Sequence, residues 1–144
     1  MASRKTAVKA VAILLIEDDP GDTRLVEEAL KSCPIPVQLT VAKDGEKALL
    51  LLTKEEVKPD LVILDLSIPK VSGISVLEQY QPKEKPPIVV FSSTWGQIDI
   101  RRALALGARE VVHKPMDVQA FIDAVCGMVR KWALGDGQSA APDS

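Results

Sequence analysis

VAILLIEDDPGD, residues 11–22, carries an uninterrupted apolar run that ends abruptly in Glu17, Asp18 and Asp19. An apolar side chain at every position suits a strand covered on both faces, because a half-exposed strand alternates. The Asp19-Pro20 pair then marks a helix start: the aspartate caps free N–H groups, and proline is tolerated at the first helical position. Asp22 lies near the same helix N-terminus, where a negative charge complements the dipole. Three acids at a strand end repel one another unless a cation lies among them or they do separate work.

The same punctuation recurs along the chain. Apolar runs stand at residues 11–16, 37–41, 61–64, 88–91 and 111–112, with helix-like segments between them. Asp44 precedes a helical segment at 46–52, and Gly107 follows another at 100–106, where a C-terminal glycine belongs. Asp117 can cap a last helix, in which Val118, Phe121, Ile122, Val125, Val129 and Trp132 recur at helical spacing. Strands alternating with helices imply βαβ crossovers and an open α/β sheet of five strands. The expected organisation is an N-terminal extension at 1–10, one domain at 11–133, and a small, polar tail at 134–144 that is expected to be disordered.

A chain of 144 residues, 47% hydrophobic, is large enough for one domain with a real core. Its net charge of -2 lacks the basic excess of a nucleic-acid footprint, so no nucleic-acid partner is expected. No apolar stretch approaches a membrane span, and the run at 11–16 is too short and too acidic at its end for a signal peptide. A cytoplasmic protein without a membrane partner is expected. Cys33 and Cys126 lack metal-ligand spacing and fall in apparent helices beside apolar residues, which reads as two reduced, buried thiols.

Open α/β sheets bind ligands beyond the carboxyl ends of their strands. Glu17, Asp18 and Asp19 follow the first strand, Asp65 the third, Ser92, Ser93 and Thr94 the fourth, and Lys114-Pro115 the fifth. Clustered carboxylates suit a hard cation such as Mg²⁺, which keeps several waters and often shares a phosphate oxygen. A carboxylate can also attack phosphorus to give an aspartyl-phosphate, with metal, lysine and hydroxyl neutralising charge. Asp65, closing the apolar LVILD, is the best-placed nucleophile.

Glu17-Asp18, the run DLSIPKVSG at 65–73, Ser92-Ser93 and Lys114-Pro115 together resemble the receiver domain of two-component response regulators, over residues 13–132. Each motif alone is weak; all four in order, each at a strand end, are specific. The resemblance implies a doubly wound, flavodoxin-like (βα)5 sheet in the order 2-1-3-4-5. It implies phosphorylation of Asp65 by a histidine kinase, a histidine phosphotransfer protein or a small donor such as acetyl phosphate. Asp18, Asp65 and the Ser67 carbonyl would ligate Mg²⁺, with Mn²⁺ a possible substitute and Glu17 acting through a metal-bound water. Ser92 would be the switch hydroxyl on the phosphate, with Ser93 beside it, and Lys114 would pair with a phosphoryl oxygen. The bond from Lys114 to Pro115 would commonly be cis. Asp19 is then left as the helix cap.

Two positions depart from the family pattern. Val111 stands where an aromatic residue often couples the site to the surface, and the switch hydroxyl is a serine where threonine is common. The chemistry survives both changes, while the conformational relay loses a ring that could swing. The remainder after the last helix is too short for a DNA-binding module. A stand-alone receiver is therefore expected, one that catalyses its own phosphorylation and dephosphorylation and acts through a downstream protein target, phosphate relay or a possible homodimer. Trp95, Ile98 and Ile100 are candidate contacts on that surface.

A pseudo-receiver that binds partners without phosphorylation is the alternative, left open by Val111 and opposed by the complete acid, aspartate and lysine set. A flavin-binding reading of Ser92–Gly96 is disfavoured, because a flavin phosphate loop belongs after the first strand, where this chain has carboxylates. His113 adjoins Lys114 on a strand and so points to the opposite side.

Overall fold

The computed structural model describes residues 10–54, 57–93 and 96–134. Residues 1–9 of the expected extension at 1–10, residues 135–144 of the expected tail at 134–144, and Trp95 lie outside the described residues, as does the side chain of Ile98. Strands β1 (Val11–Ile16), β2 (Val37–Ala42), β3 (Leu61–Leu64), β4 (Ile88–Ser92) and β5 (Glu110–His113) alternate with helices α1 (Pro20–Ser32), α2 (Gly45–Thr53), α3 (Gly73–Gln79), α4 (Gln97–Ala105) and α5 (Val118–Met128). The sheet is wholly parallel in the order β2-β1-β3-β4-β5.

Strand parity explains why the central strands are apolar throughout. Successive side chains point to opposite faces, so a strand covered twice needs apolar residues at every position. Ile13, Leu15, Leu61, Ile63, Val89 and Phe91 face one way, against Val26, Ala29 and Leu30 of α1 and Phe121, Val125 and Met128 of α5. Leu14, Ile16, Val62, Leu64, Ile88 and Val90 face the other, against α2, α3 and α4. Phe91 and Phe121 meet edge-on at 5.0 Å between ring centroids, which ties α5 to β4.

The capping signals hold in atomic detail. Asp19 accepts from the Asp22 N–H at 2.8 Å, Asp44 from Lys47 at 2.7 Å, and Asp117 from Ala120 at 2.8 Å. Gly107 adopts φ +110° just beyond α4, a conformation that costs glycine little. Gly73 answers to closeness instead: a Cβ there would lie 2.6 Å from Leu66 Cα and 2.8 Å from Asp65 O. The loop after β3 folds back so tightly that Gly73 N–H donates to Leu66 O at 3.1 Å.

Three sequence expectations are corrected. Cys33 and Cys126 form a disulfide, with Cα atoms 5.8 Å apart across 93 positions. Both helices pack on one sheet face, which brings the end of α1 against α5; spacing along the chain gave no hint of it. The peptide bond from Lys114 to Pro115 is trans. Trans is the intrinsically preferred form even before proline. The last helix passes at Val129 into a π-helical turn, Val129–Ala133. Trp132 still packs against the core, half-buried, and donates from Nε1 to Glu110 Oε1 at 2.9 Å beneath Arg109 and Lys131.

Candidate functional site

Parallel pairing delivers the site. With Ile16 in register with Leu64, and Ser92 with His113, the residues just past β1, β3 and β5 meet the end of β4 at one edge. Backbone bonds extend the ladder one step further: Asp65 N–H donates to Ile16 O, Lys114 N–H to Ser92 O, and Glu17 N–H to Ala42 O, each at 3.0 Å. Among the described residues, the buried polar side chains are Glu17, Asp65, Ser92 and Lys114, and all four lie here. Burying charge without partners is prohibitive, so their mutual bonds are what permit the arrangement.

Asp65 is gripped at both oxygens. Its Oδ1 accepts from the Ser92 hydroxyl at 2.7 Å and from the Ser67 N–H at 3.0 Å, while Oδ2 accepts from Lys114 Nζ at 2.9 Å. The same ammonium donates to Glu17 Oε1 at 2.6 Å and to Asp22 Oδ2 at 2.7 Å. Glu17 Oε2 in turn accepts from the Asp19 N–H at 3.1 Å.

The protonation tendencies diverge. Burial pushes Glu17 up to about 7, against the pull of Lys114. Burial also acts to raise Asp65, but Lys114, the Ser67 N–H and the Ser92 hydroxyl outweigh it and hold the carboxyl below its usual range. Burial would lower Lys114; its bonds to Asp22, Glu17 and Asp65 win and raise it. An ionised, buried carboxylate held beside a hydroxyl and an ammonium is chemically a poised nucleophile with anion-stabilising groups at hand.

The structure thus brings together Glu17, Asp65, Ser92 and Lys114 of the residues singled out from sequence. Asp18 is exposed at the rim and takes no part in the hydrogen-bonded cluster. Ser93 is exposed, and Ser67 enters through its N–H. Val111 is half-buried and packs on the α3 and α4 side of the core. His113 is exposed, opposite in sense to buried Lys114, as strand alternation requires.

Sequence reasoning missed Asp22, which it took only as an acid favourable at a helix start. The available signal was its position: a helix that begins at the site edge directs its first turn toward that edge.

Fold and site together define a doubly wound α/β domain with an acid, hydroxyl and lysine cluster at the carboxyl edge of its sheet. The family model for the response regulator receiver domain matches residues 13–126, and the chain belongs to that family. It is 29% identical over 128 residues to the response regulator Rcp1 of Synechocystis, covering 83% of this chain and 87% of that one. It is 33% identical over 114 residues to sporulation initiation phosphotransferase F of Bacillus subtilis, covering 78% and 89%. Among solved structures, the phosphorylated cyanobacterial phytochrome response regulator RcpA superposes with a TM-score of 0.80 at 29% identity, over 86% of this chain and 94% of that one. The Mn(2+)-bound form of Rcp1 gives 0.77 at 29% identity, over 85% and 94%.

Proposed function

We propose that this chain is a cytoplasmic phosphorylation switch that accepts a phosphoryl group on Asp65. The observation that carries the reading is the grip on Asp65: one oxygen held by Ser92 and Ser67, the other by Lys114, all at the edge where α/β sheets bind ligands. A carboxylate oxygen of Asp65 attacks phosphorus. The bond from phosphorus to the donor's nitrogen (phosphohistidine) or oxygen (acetyl phosphate) breaks, and the leaving group departs with that electron pair. Lys114 pairs with a phosphoryl oxygen, and the Ser92 hydroxyl turns from Asp65 Oδ1 to another, with Ser93 beside it.

Among the described residues no group of three or more acids stands in metal-holding geometry, and the Lys114 ammonium occupies Glu17 and Asp65. By chemistry alone, the carboxylates of Asp18, Asp65 and Glu17 and the Ser67 carbonyl are the oxygen donors a hard divalent cation prefers. Asp18, Asp65 and Ser67 would hold Mg²⁺ directly, or Mn²⁺ in its place, and Glu17 would act through water. Bound there, the cation supplies charge neutralisation on the transferring group.

Partners follow from this chemistry: a histidine kinase or histidine phosphotransfer protein as donor, and a protein target or second copy as recipient of the signal. The output face is the one formed by α4, β5 and α5; of its apolar residues Leu104, Met116 and Val118 are exposed and Ile100 is half-buried. Incubation with acetyl phosphate and Mg²⁺, read by intact mass, should add one phosphoryl group to the wild type and almost none to Asp65→Asn. A wild type that stays unmodified under donor excess overturns the reading and leaves a pseudo-receiver, a binding module on the same fold.

A further inference from the structure

Lys114 has three N–H donors, and three carboxylates take them: Glu17 at 2.6 Å, Asp22 at 2.7 Å and Asp65 at 2.9 Å. Two of these acceptors are buried, whereas the Asp22 side chain is 29% exposed. Glu17 and Asp65 belong to the site already described; Asp22 does not. An acid that merely complemented a helix dipole would need no partner. This one accepts from a lysine 92 positions away in sequence, just past β5. Its placement is fixed by the cap, because its own N–H is tied to Asp19 Oδ2 at 2.8 Å.

We propose that Asp22 is a positioning residue of the resting site: it holds the Lys114 ammonium over Asp65 and yields one of its N–H donors to the arriving phosphoryl group. The inference rests on the receiver reading. Of the three acceptors, Asp22 is the one that can be released at least cost, since its side chain is 29% exposed against 2% for Glu17 and 8% for Asp65. It also adds a further negative charge beside the nucleophile, which draws a divalent cation in and holds an anionic donor off. Asp22 therefore works in opposite directions on the two ligands. It tightens the cation and slows the transfer in which the bond from Asp65 to phosphorus forms and the bond from phosphorus to the leaving group breaks.

The test is Asp22→Asn, measured three ways. Mg²⁺ titration by calorimetry should show affinity weakened roughly three- to tenfold. At saturating Mg²⁺, the second-order rate with acetyl phosphate should rise by a similar factor, more at low ionic strength. The Lys114 ammonium resonance should exchange faster with water. Asp22→Glu should move all three back toward wild type, and Asp22→Ser should reproduce the asparagine variant. A merely structural acid would lower affinity and rate together. A rate that stays level or falls, or an unchanged Mg²⁺ affinity, overturns the proposal. A wild type that takes up no phosphoryl group overturns the receiver chemistry instead, and the ammonium and Mg²⁺ measurements then still judge whether Asp22 holds Lys114.

Discussion

The ammonium of Lys114 sits 2.9 Å from Oδ2 of Asp65 across 49 positions of the chain, with both side chains buried. Lys114 balances charge for the whole cluster, so its loss strands Glu17 and Asp65 without a counter-ion. Lys114→Met should destabilise the metal-free protein by about 3–5 kcal/mol at neutral pH, the usual cost of halving a buried ion pair. The loss should shrink near pH 5, where Glu17 is protonated. Urea unfolding at the two pH values measures both; equal losses at both would show that Glu17 carries no charge at neutrality.

The loop after β3 gives a second test. Gly73→Ala would drive a methyl against Leu66 Cα and Asp65 O, both backbone atoms, so the loop itself must move. A stability loss of about 1–3 kcal/mol is expected, as for other overpacked sites. Because Ser67 lies in the same loop and donates to Asp65 Oδ1, phosphorylation by acetyl phosphate should fall further than stability does. Matching urea midpoints with stopped-flow or mass-based rates on the same variant separates the two effects.

The bridge from Cys33 to Cys126 closes a loop of 93 positions, worth up to about 4–5 kcal/mol in the chain-entropy view. α1 leaves the site edge at Pro20 and runs 13 residues, so its end lies some 20 Å away from the acids. Dithiothreitol or Cys126→Ser should therefore lower the melting temperature while leaving the phosphorylation rate on the folded protein unchanged. Disulfides are rare in reducing compartments, so trapping thiols in freshly lysed cells would show which form operates there.

What the sequence made legible, and what it hid, divides along physical lines. Strands buried on both faces cannot hide, because parity demands apolar residues at every position. The residues ending them, Glu17, Asp65, Ser92 and Lys114, were then placed at one edge by topology alone. Asp22 escaped notice because its partner comes from β5, and helix-start statistics already accounted for an acid there. The cysteine pair escaped for the same reason: contacts between α1 and α5 are long-range in sequence. The π-helical turn at Val129–Ala133 follows the α-helix without a break, so periodicity alone carried α5 past Met128.

Glu17 links metal binding to pH. Burial raises its folded pKa from 4.5 to about 7, so between those values the native state holds a proton that the unfolded chain has released. The stability this contributes is present below 4.5 and is lost as pH rises through about 7; Asp65, with its carboxyl held below 3.8, contributes in the opposite sense, losing its share only as pH falls below that range. A cation arriving among these carboxylates favours the ionised form and must expel the proton. Mg²⁺ binding at pH 7 should thus release about half a proton, rising toward one near pH 6, with affinity increasing as pH climbs through 7. Calorimetry in buffers of different ionisation enthalpy measures the proton count directly. Glu17→Gln should abolish the release and flatten the stability profile between pH 5 and pH 7. A glutamine variant that still expels a proton would move the titration to another of the clustered acids and leave Glu17 charged throughout.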